Sequence, residues 1–139
     1  MSGAAADLPY FGDEARVRQI LVNLLTNAIK FTEPEGHVTV SGGTGESVAH
    51  ARLAGAGPWV YIRVEDTGRG IPAHLFEAVF EPYQQSHVTD RHRGTGLGLS
   101  ISRKVARLMG GDIVVRSEIG VGSSFTLWLP MAVPDQVPR

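Results

Sequence analysis

The chain has 139 residues, 17 of them glycine, and its 13 Lys and Arg against 14 Asp and Glu give a formal net charge of −1. Hydrophobic residues make up 42% and charged residues 19%, which excludes global disorder and collagen-like repeats. The charge balance argues against a broad basic face for nucleic acid, and the absence of cysteine excludes disulfides and cysteine-ligated metal sites. No apolar run is long enough to span a membrane, and no signal peptide is predicted at the amino terminus.

The length suits one domain over residues 8–130, with residues 1–7 as a linker or fragment start and 131–139 as a flexible tail. Residues 8–12 predict a short edge strand. From the candidate N-cap Asp13, apolar residues recur at three- and four-residue steps and predict a helix that lasts until Thr32. A strand is predicted at residues 37–41 and a second strand at 59–64, with a loop or a loose hairpin end between them at 42–58 and a turn after them at 65–72.

The second half of the chain predicts a short helix over residues 73–79, a polar mobile loop over 81–98 and a helix over 97–109 that ends at two glycines. A hairpin follows, with strands 112–117 and 124–130 joined by a turn. Together these elements predict an α/β two-layer sandwich, in which about three helices cover one face of a mixed five-stranded sheet.

The first helix carries a line of polar residues away from its apolar stripe: Arg16, Gln19, Asn23, Asn27 and Lys30. Two asparagines one turn apart are poor helix formers, and their amide oxygens could bind Mg²⁺, which prefers oxygen ligands. Lys30 could neutralise phosphate charge. The alternative is an ordinary solvated helix face.

Three glycine-containing segments follow. Asp66 lies where the chain leaves a predicted strand, and Gly68 and Gly70 follow it. The glycines allow a close approach, so the Asp66 carboxylate could accept a hydrogen bond from an exocyclic amine such as that of adenine. The alternative is an Asp-Gly surface turn. Glycine occupies every second position of residues 94–98, directly before a predicted helix. This pattern is typical of an anion-binding site and also of a flexible hinge. They match neither the dinucleotide fingerprint nor the P-loop. Residues 120–123 read as a hairpin turn.

In their order and spacing, these segments resemble the catalytic ATP-binding domain of sensor histidine kinases, which has the Bergerat fold shared with type II topoisomerases, heat-shock chaperones and mismatch-repair ATPases. Residues 19–32 resemble the asparagine box of that family and residues 66–70 its first glycine box. The other matching segments are the phenylalanine box at Phe76 and 80–83, the second glycine box at 94–99, and the last glycine-rich turn at 120–125.

The resemblance implies Mg²⁺ and ATP as ligands. Asn27 would be the principal metal ligand with Asn23 close to it, Asp66 would hold the adenine amino group, and Ser123 would support Asp66 through water. Residues 84–93 would form a lid over the nucleotide. The full set of implied ATP-binding residues is Asn23, Asn27, Lys30, Phe31, Asp66, Gly68, Gly70, Ile71, Phe80, Tyr83, Arg91, Arg93, Gly94, Thr95, Gly96, Leu97, Gly98, Leu99 and Ser123.

The implied function is to present the γ-phosphate of ATP to a histidine on a separate helical dimerisation and phosphoacceptor domain, with a response regulator downstream. We assign no acceptor and no general base within this chain, and expect no autophosphorylation by the isolated domain, which should be monomeric and cytoplasmic whether or not its parent is membrane-anchored. No histidine has the family's acceptor context, so we assign all five to the surface: His37, His50, His74, His87 and His92.

Three alternative functions share the fold: a catalytically inactive ATP-sensing module, an ATPase of the topoisomerase or chaperone kind, and a serine kinase of the anti-sigma type. The ATPases use a glutamate base where this chain has Asn23, so hydrolysis should be poor.

Overall fold

The computed structural model describes residues 13–45, 59–81 and 98–130. These contain two α-helices, four strands and two 3₁₀ turns. The helices are α1 (Glu14–Phe31) and α2 (Gly98–Leu108). The strands are β1 (Val38–Gly45), β2 (Trp59–Asp66), β3 (Asp112–Glu118) and β4 (Gly122–Pro130), and the 3₁₀ turns are Ala73–Leu75 and Ala78–Phe80.

Helix α1 begins where the sequence predicts. The Asp13 carboxylate accepts hydrogen bonds from the backbone N–H of Ala15 at 2.9 Å and of Arg16 at 3.3 Å, which satisfies donors that have no partner within the helix. The helix ends at Phe31, because Thr32 is extended and its hydroxyl donates back to the Ala28 carbonyl at 2.7 Å. The predicted N-cap and the predicted end of the apolar stripe are both confirmed.

The sheet has the strand order β1-β2-β4-β3, and every pairing among these four strands is antiparallel. The predicted sheet was mixed and five-stranded. The described strands are not mixed, and the predicted strand at residues 8–12 lies outside the described residues. One row of the register joins Val38, Asp66, Ser123 and Ser117 across all four strands, so it brings Asp66 beside two serines.

Two local predictions are wrong. Residues 42–45, predicted to belong to a loop or a loose hairpin end, continue β1, because their backbone pairs with β2 from Ile62 to Trp59 and compensates for the low strand propensity of glycine. The predicted helix at 73–79 is instead two 3₁₀ turns, with bonds such as that from the Phe76 N–H to the Ala73 carbonyl at 3.1 Å. So short a segment cannot nucleate a stable α-helix.

The core lies between the two helices and one face of the sheet. Helix α1 contributes Val17, Ile20, Leu21, Leu24 and Ala28, and the sheet contributes Ile62, Val64, Ile113, Phe125, Leu127 and Leu129. Helix α2 ends at Leu108, and Gly110 follows it with a positive φ of 84°, which suits the terminating glycine that the sequence predicts. Within the described segments, no helix has the length and hydropathy needed to cross a membrane.

The other face of the sheet is also partly covered. Strand alternation places Trp59 and Trp128 on this face, yet they are only 1% and 4% exposed. The Trp128 ring lies 5.4 Å from that of Tyr61, and the Arg63 guanidinium lies over Tyr61 at 5.1 Å. The alternation of Val60, Ile62 and Val64 predicts that the face of β2 towards the helices is buried. It does not predict this aromatic cluster on the opposite face, which only the structure shows.

Candidate functional site

Asp66 occupies the last position of β2 and is 7% exposed. Its Oδ1 accepts a hydrogen bond from the Gly68 N–H at 2.8 Å. Burial raises the pKa of the Asp66 carboxyl above its ordinary value of 3.8, while hydrogen bonds from the Gly68 and Ser123 backbones act in the opposite direction. A buried acceptor of this kind suits a ligand N–H donor better than it suits solvent.

Glycines surround Asp66 because backbones meet there. A Cβ at Gly68 would collide with the Phe31 carbonyl oxygen and would lie 2.9 Å from Asp66 Oδ1. Gly122 has a φ of 147°, and a Cβ there would collide with the Asp66 carbonyl oxygen. Both positions therefore require glycine for packing alone, and the contact of Gly68 with Phe31 connects the end of α1 to the Asp66 loop.

Ser117 is a residue that the sequence reasoning missed. Its Oγ accepts from the Ile71 N–H at 2.6 Å and donates to the Gly122 carbonyl at 2.8 Å. Because this single hydroxyl proton goes to Gly122, the 2.8 Å contact between Ser117 Oγ and Ser123 Oγ is donated by Ser123. Ser117 thus holds Ile71, Gly122 and Ser123 around Asp66. Its only signal in the sequence is its place at the end of the predicted strand 112–117, directly before the predicted turn that contains Ser123.

We call Asp66, Gly68, Ser117, Gly122 and Ser123 the Asp66 cluster. A depression of about 430 Å³ opens at this end of the sheet, and its lining includes Asp66, Ser117 and Ser123. It also extends over Thr39, Glu65 and Arg116, and no residue of α1 lines it. The depression therefore lies at the end of the sheet, away from the polar side chains of α1.

The polar residues of α1 separate into two groups. Arg16 and Gln19 are exposed, and the Arg16 Nε lies 3.8 Å from Asp13 Oδ2. These two residues therefore belong to an ordinary solvated helix face. Asn23, Asn27 and Lys30 are half-buried. We call these three the α1 polar line. Asn23 Nδ2 donates to Ser102 Oγ of α2 at 2.9 Å, which brings the beginning of α2 against this part of α1.

Two amide oxygens one helical turn apart fit Mg²⁺ by their chemistry, since Mg²⁺ binds few protein oxygens and completes its shell with water and phosphate. The described ranges contain no group of three or more His, Asp or Glu side chains that could hold a metal without such help.

The phenylalanine-box residue Phe80 is 8% exposed and belongs to the core. Its ring lies 6.2 Å from the Phe125 ring, and the Arg103 guanidinium lies over it at 4.2 Å. Arg103 also forms two hydrogen bonds with Glu77, at 3.0 and 3.2 Å. No local sequence pattern indicates this arginine, because Glu77 and Phe80 lie far from it in the chain.

Some of the other predicted site residues belong to the described part of the chain, and the rest lie outside it. Phe31, Gly70, Ile71, Gly98 and Leu99 are half-buried, and a Cβ at Gly98 would lie 3.9 Å from Asn23 Cγ. His37 and His74 are exposed, as predicted. The remaining site residues and histidines lie outside the described residues: Tyr83, Arg91, Arg93, Gly94, Thr95, Gly96, Leu97, His50, His87 and His92.

The family model described as histidine kinase-, DNA gyrase B- and HSP90-like ATPase matches residues 12–133. The chain is 43% identical over 131 residues to hybrid signal transduction histidine kinase A of Dictyostelium discoideum, and 44% identical over 122 residues to the sensor histidine kinase RcsC of Escherichia coli. These alignments cover 92% and 86% of the chain, but only 6% and 12% of the two relatives.

Solved structures agree with this assignment. Full-length ShkA in complex with AMPPNP superposes with a TM-score of 0.72 at 34% identity, over 93% of this chain and 24% of that chain. The nucleotide-free catalytic domain of histidine kinase ThkA gives a TM-score of 0.64 at 30% identity, over 86% of this chain and 69% of that one. The chain therefore belongs to the histidine kinase-, DNA gyrase B- and HSP90-like ATPase family, as a catalytic ATP-binding domain of the histidine-kinase type.

Proposed function

We propose that this chain binds ATP with Mg²⁺ and presents the γ-phosphate to a histidine on a helical phosphoacceptor domain of the same kinase. The observation that carries this proposal is the buried Asp66 carboxylate, held by the Gly68 N–H at 2.8 Å and joined through the contact of Gly68 with Phe31 to the helix that bears Asn23, Asn27 and Lys30. In this proposal the Asp66 carboxylate binds the base and the polar side chains of α1 bind metal and phosphate, and the contact of Gly68 with Phe31 joins the two.

Each residue has a defined role in this proposal. Asp66 accepts a hydrogen bond from the adenine amino group, and Ser123 supports it. Asn27 and Asn23 provide oxygen atoms for the metal and its waters, and Lys30 offsets phosphate charge. Bound Mg²⁺ would neutralise charge on the phosphates during transfer. Phosphoryl transfer depends mainly on positioning and charge neutralisation, so these residues suffice to present the nucleotide.

The remaining site contacts are also proposals. Gly70 and Ile71 would flank the base and Phe31 would line the site. Gly98 and Leu99 would offer backbone N–H groups to phosphate at the start of α2, where the helix dipole favours an anion. The lid residues and the second glycine box, which lie outside the described residues, would complete the phosphate contacts.

The acceptor histidine must come from elsewhere in this proposal. His37 and His74 are exposed and neither lies in the Asp66 cluster or the α1 polar line. The named relatives are much longer histidine kinases, which supports a separate acceptor domain. A response regulator would receive the phosphoryl group in turn.

The first test is calorimetry of the full chain with a non-hydrolysable ATP analogue and Mg²⁺. We expect saturable binding, and no heat above background at millimolar nucleotide would overturn every ATP-dependent function. The second test adds labelled ATP and the parent kinase's helical domain. Acid-labile, base-stable label on that domain supports the kinase, whereas release of free phosphate without label on it supports an ATPase. Binding with neither product supports a nucleotide-sensing module.

A further inference from the structure

The Ser117 hydroxyl lies where three polar groups meet. The Ile71 N–H donates to its oxygen at 2.6 Å, and the Gly122 carbonyl oxygen and Ser123 Oγ each lie 2.8 Å from it. A hydroxyl has one proton and two lone pairs, so these three contacts use its full hydrogen-bonding capacity. Ser117 therefore has no donor or acceptor left with which to bind a ligand itself.

The direction of the hydrogen bonds around Ser117 follows from the chemistry of its partners. A carbonyl oxygen has no proton, so the contact with Gly122 must be donated by Ser117. If Ser117 donated to Ser123 instead, the oxygens of Ser117 and Gly122 would lie 2.8 Å apart with no proton between them, and they would repel each other. Ser123 is therefore the donor to Ser117, and the Ser123 hydroxyl proton is used inside the protein.

This direction leaves Ser123 Oγ with its lone pairs beside the Asp66 carboxylate. Asp66 and Ser123 are paired in the register of β2 and β4, each is 7% exposed, and both line the depression at the end of the sheet. An ionised carboxylate also only accepts hydrogen bonds. The two side chains therefore offer acceptor atoms, and no proton, to a group that binds between them.

We propose that Ser117 is a positioning residue that takes the Ser123 proton, so that Ser123 and Asp66 together select a purine with an amino group at C6 over one with a carbonyl group there. This inference rests on the proposed binding of the nucleotide base at Asp66. Ser117 itself touches no ligand in this proposal and acts through Ser123.

The selection follows from what each base brings to two acceptors. The amino group of adenine carries two protons, whereas the carbonyl oxygen of hypoxanthine carries none and would face oxygen atoms. The argument also holds if a water lies between Ser123 and the base, because that water must direct one of its protons at Ser123 Oγ. Without the Ser117 hydroxyl, Ser123 is free to turn and to donate, so the carbonyl base loses part of its disadvantage.

The experiment measures the affinities of the full chain for ADP and for IDP, its hypoxanthine counterpart, by calorimetry with Mg²⁺. We expect the wild type to prefer ADP, and Ser117→Ala to lower the ratio of the two affinities roughly five- to tenfold, as one hydrogen bond would. A loss of folding stability alone would weaken the binding of both nucleotides and leave this ratio unchanged.

Two further variants serve as controls for the ratio. Ser117→Thr keeps the hydroxyl and should keep the preference of the wild type, and Ser41→Ala removes a half-buried serine hydroxyl from β1 and should also keep it. An unchanged ratio in Ser117→Ala, or an equal fall in Ser117→Thr or Ser41→Ala, would overturn the proposal.

Ser123→Ala provides an independent arm. This variant has no hydroxyl at position 123 whose direction could be fixed, so adding Ser117→Ala to it should not change the ratio of ADP to IDP affinity further. A further fall as large as that in the wild-type background contradicts a role that acts through Ser123.

Hydrogen exchange of the Ile71 amide gives a readout without nucleotide. We expect slower exchange in the wild type than in Ser117→Ala, because the hydroxyl accepts from this N–H, and identical exchange would contradict the arrangement. If the wild type binds neither nucleotide, the proposed function fails. If it binds both equally well, or if Ser117→Ala keeps its preference for ADP, only this further inference fails.

Discussion

The two halves of the proposed site are built differently. The Asp66 cluster consists of a buried carboxylate, backbone N–H groups and glycines in backbone contact, and Ser117 ties it together. The α1 polar line consists of three half-buried side chains, and Ser102 is the described partner of one of them. The first is therefore held together by contacts within the chain, whereas we propose that a ligand completes the second. Substitutions in the Asp66 cluster should affect folding and nucleotide affinity, and substitutions in the α1 polar line should affect affinity alone.

The largest effect is expected from Gly68→Ala. The new Cβ would collide with the Phe31 carbonyl and separate the two halves of the site, so we expect a loss of about 3 kcal/mol in the free energy of unfolding and no measurable nucleotide binding. Chemical denaturation and calorimetry provide the measurements. Gly120→Ala is the control, since Gly120 has a φ of 83° but no atom within 4 Å of its Cβ position, and should cost about 1 kcal/mol. Equal effects of the two variants would show that the backbone contact is unimportant.

Asp66→Asn should come next. Loss of the charged acceptor should weaken nucleotide binding roughly 10- to 100-fold, measured by calorimetry. Stability at pH 7 should not decrease, because burial disfavours the ionised carboxylate that the variant removes. The control is Glu65→Gln, the same chemical change at the exposed neighbouring position, and it should leave affinity unchanged. Unchanged affinity in Asp66→Asn would refute the adenine contact.

We also expect the stability difference between Asp66→Asn and the wild type to depend on pH. The pKa of Asp66 is raised in the folded state, so at pH values between the unfolded pKa of 3.8 and the folded pKa, folding is accompanied by the uptake of a proton. The ionised group therefore lowers stability above its folded pKa, and this penalty disappears as the pH falls towards 3.8. In denaturant unfolding, the stability advantage of Asp66→Asn over the wild type should shrink as the pH is lowered. An advantage that grows on acidification would reverse the assigned direction.

Asn27→Ala should have a smaller effect, confined to the metal. We expect roughly tenfold weaker nucleotide binding with Mg²⁺, an unchanged affinity in chelator and an unchanged unfolding transition, because Asn27 is only half-buried. Thr26→Ala, at the exposed neighbouring position, is the control. A retained Mg²⁺ dependence would place the metal elsewhere.

The smallest effect is expected from Lys30→Gln. A half-exposed cation near phosphate should contribute about threefold to affinity at low ionic strength, and salt should screen this contribution. Titrations at low and high salt measure it, with Lys104→Gln on the exposed face of α2 as the charge-matched control. A salt-independent loss would indicate a buried contact of the kind found at Asp66.

Much of the fold follows from local sequence signals. The apolar stripe and the Asp13 cap predict α1 closely, and Gly110 predicts the end of α2. Local signals fail where pairing with a distant strand decides, as at residues 42–45 of β1. They also fail for Arg103, whose contacts with Glu77 and Phe80 depend on how α2 packs.

The sequence by itself determined the two-layer class, the order of the motifs and the candidates Asp66, Asn23 and Asn27, because these depend on periodicity, turn chemistry and spacing along the chain. Only the tertiary structure decided that Asp66 is buried, that Gly68 and Gly122 are required by backbone contacts, and that Ser117 and Ser102 form hydrogen bonds with Ile71 and Asn23. The physical reason is that burial and hydrogen-bond direction depend on distances between residues far apart in the chain, and no local pattern encodes those distances.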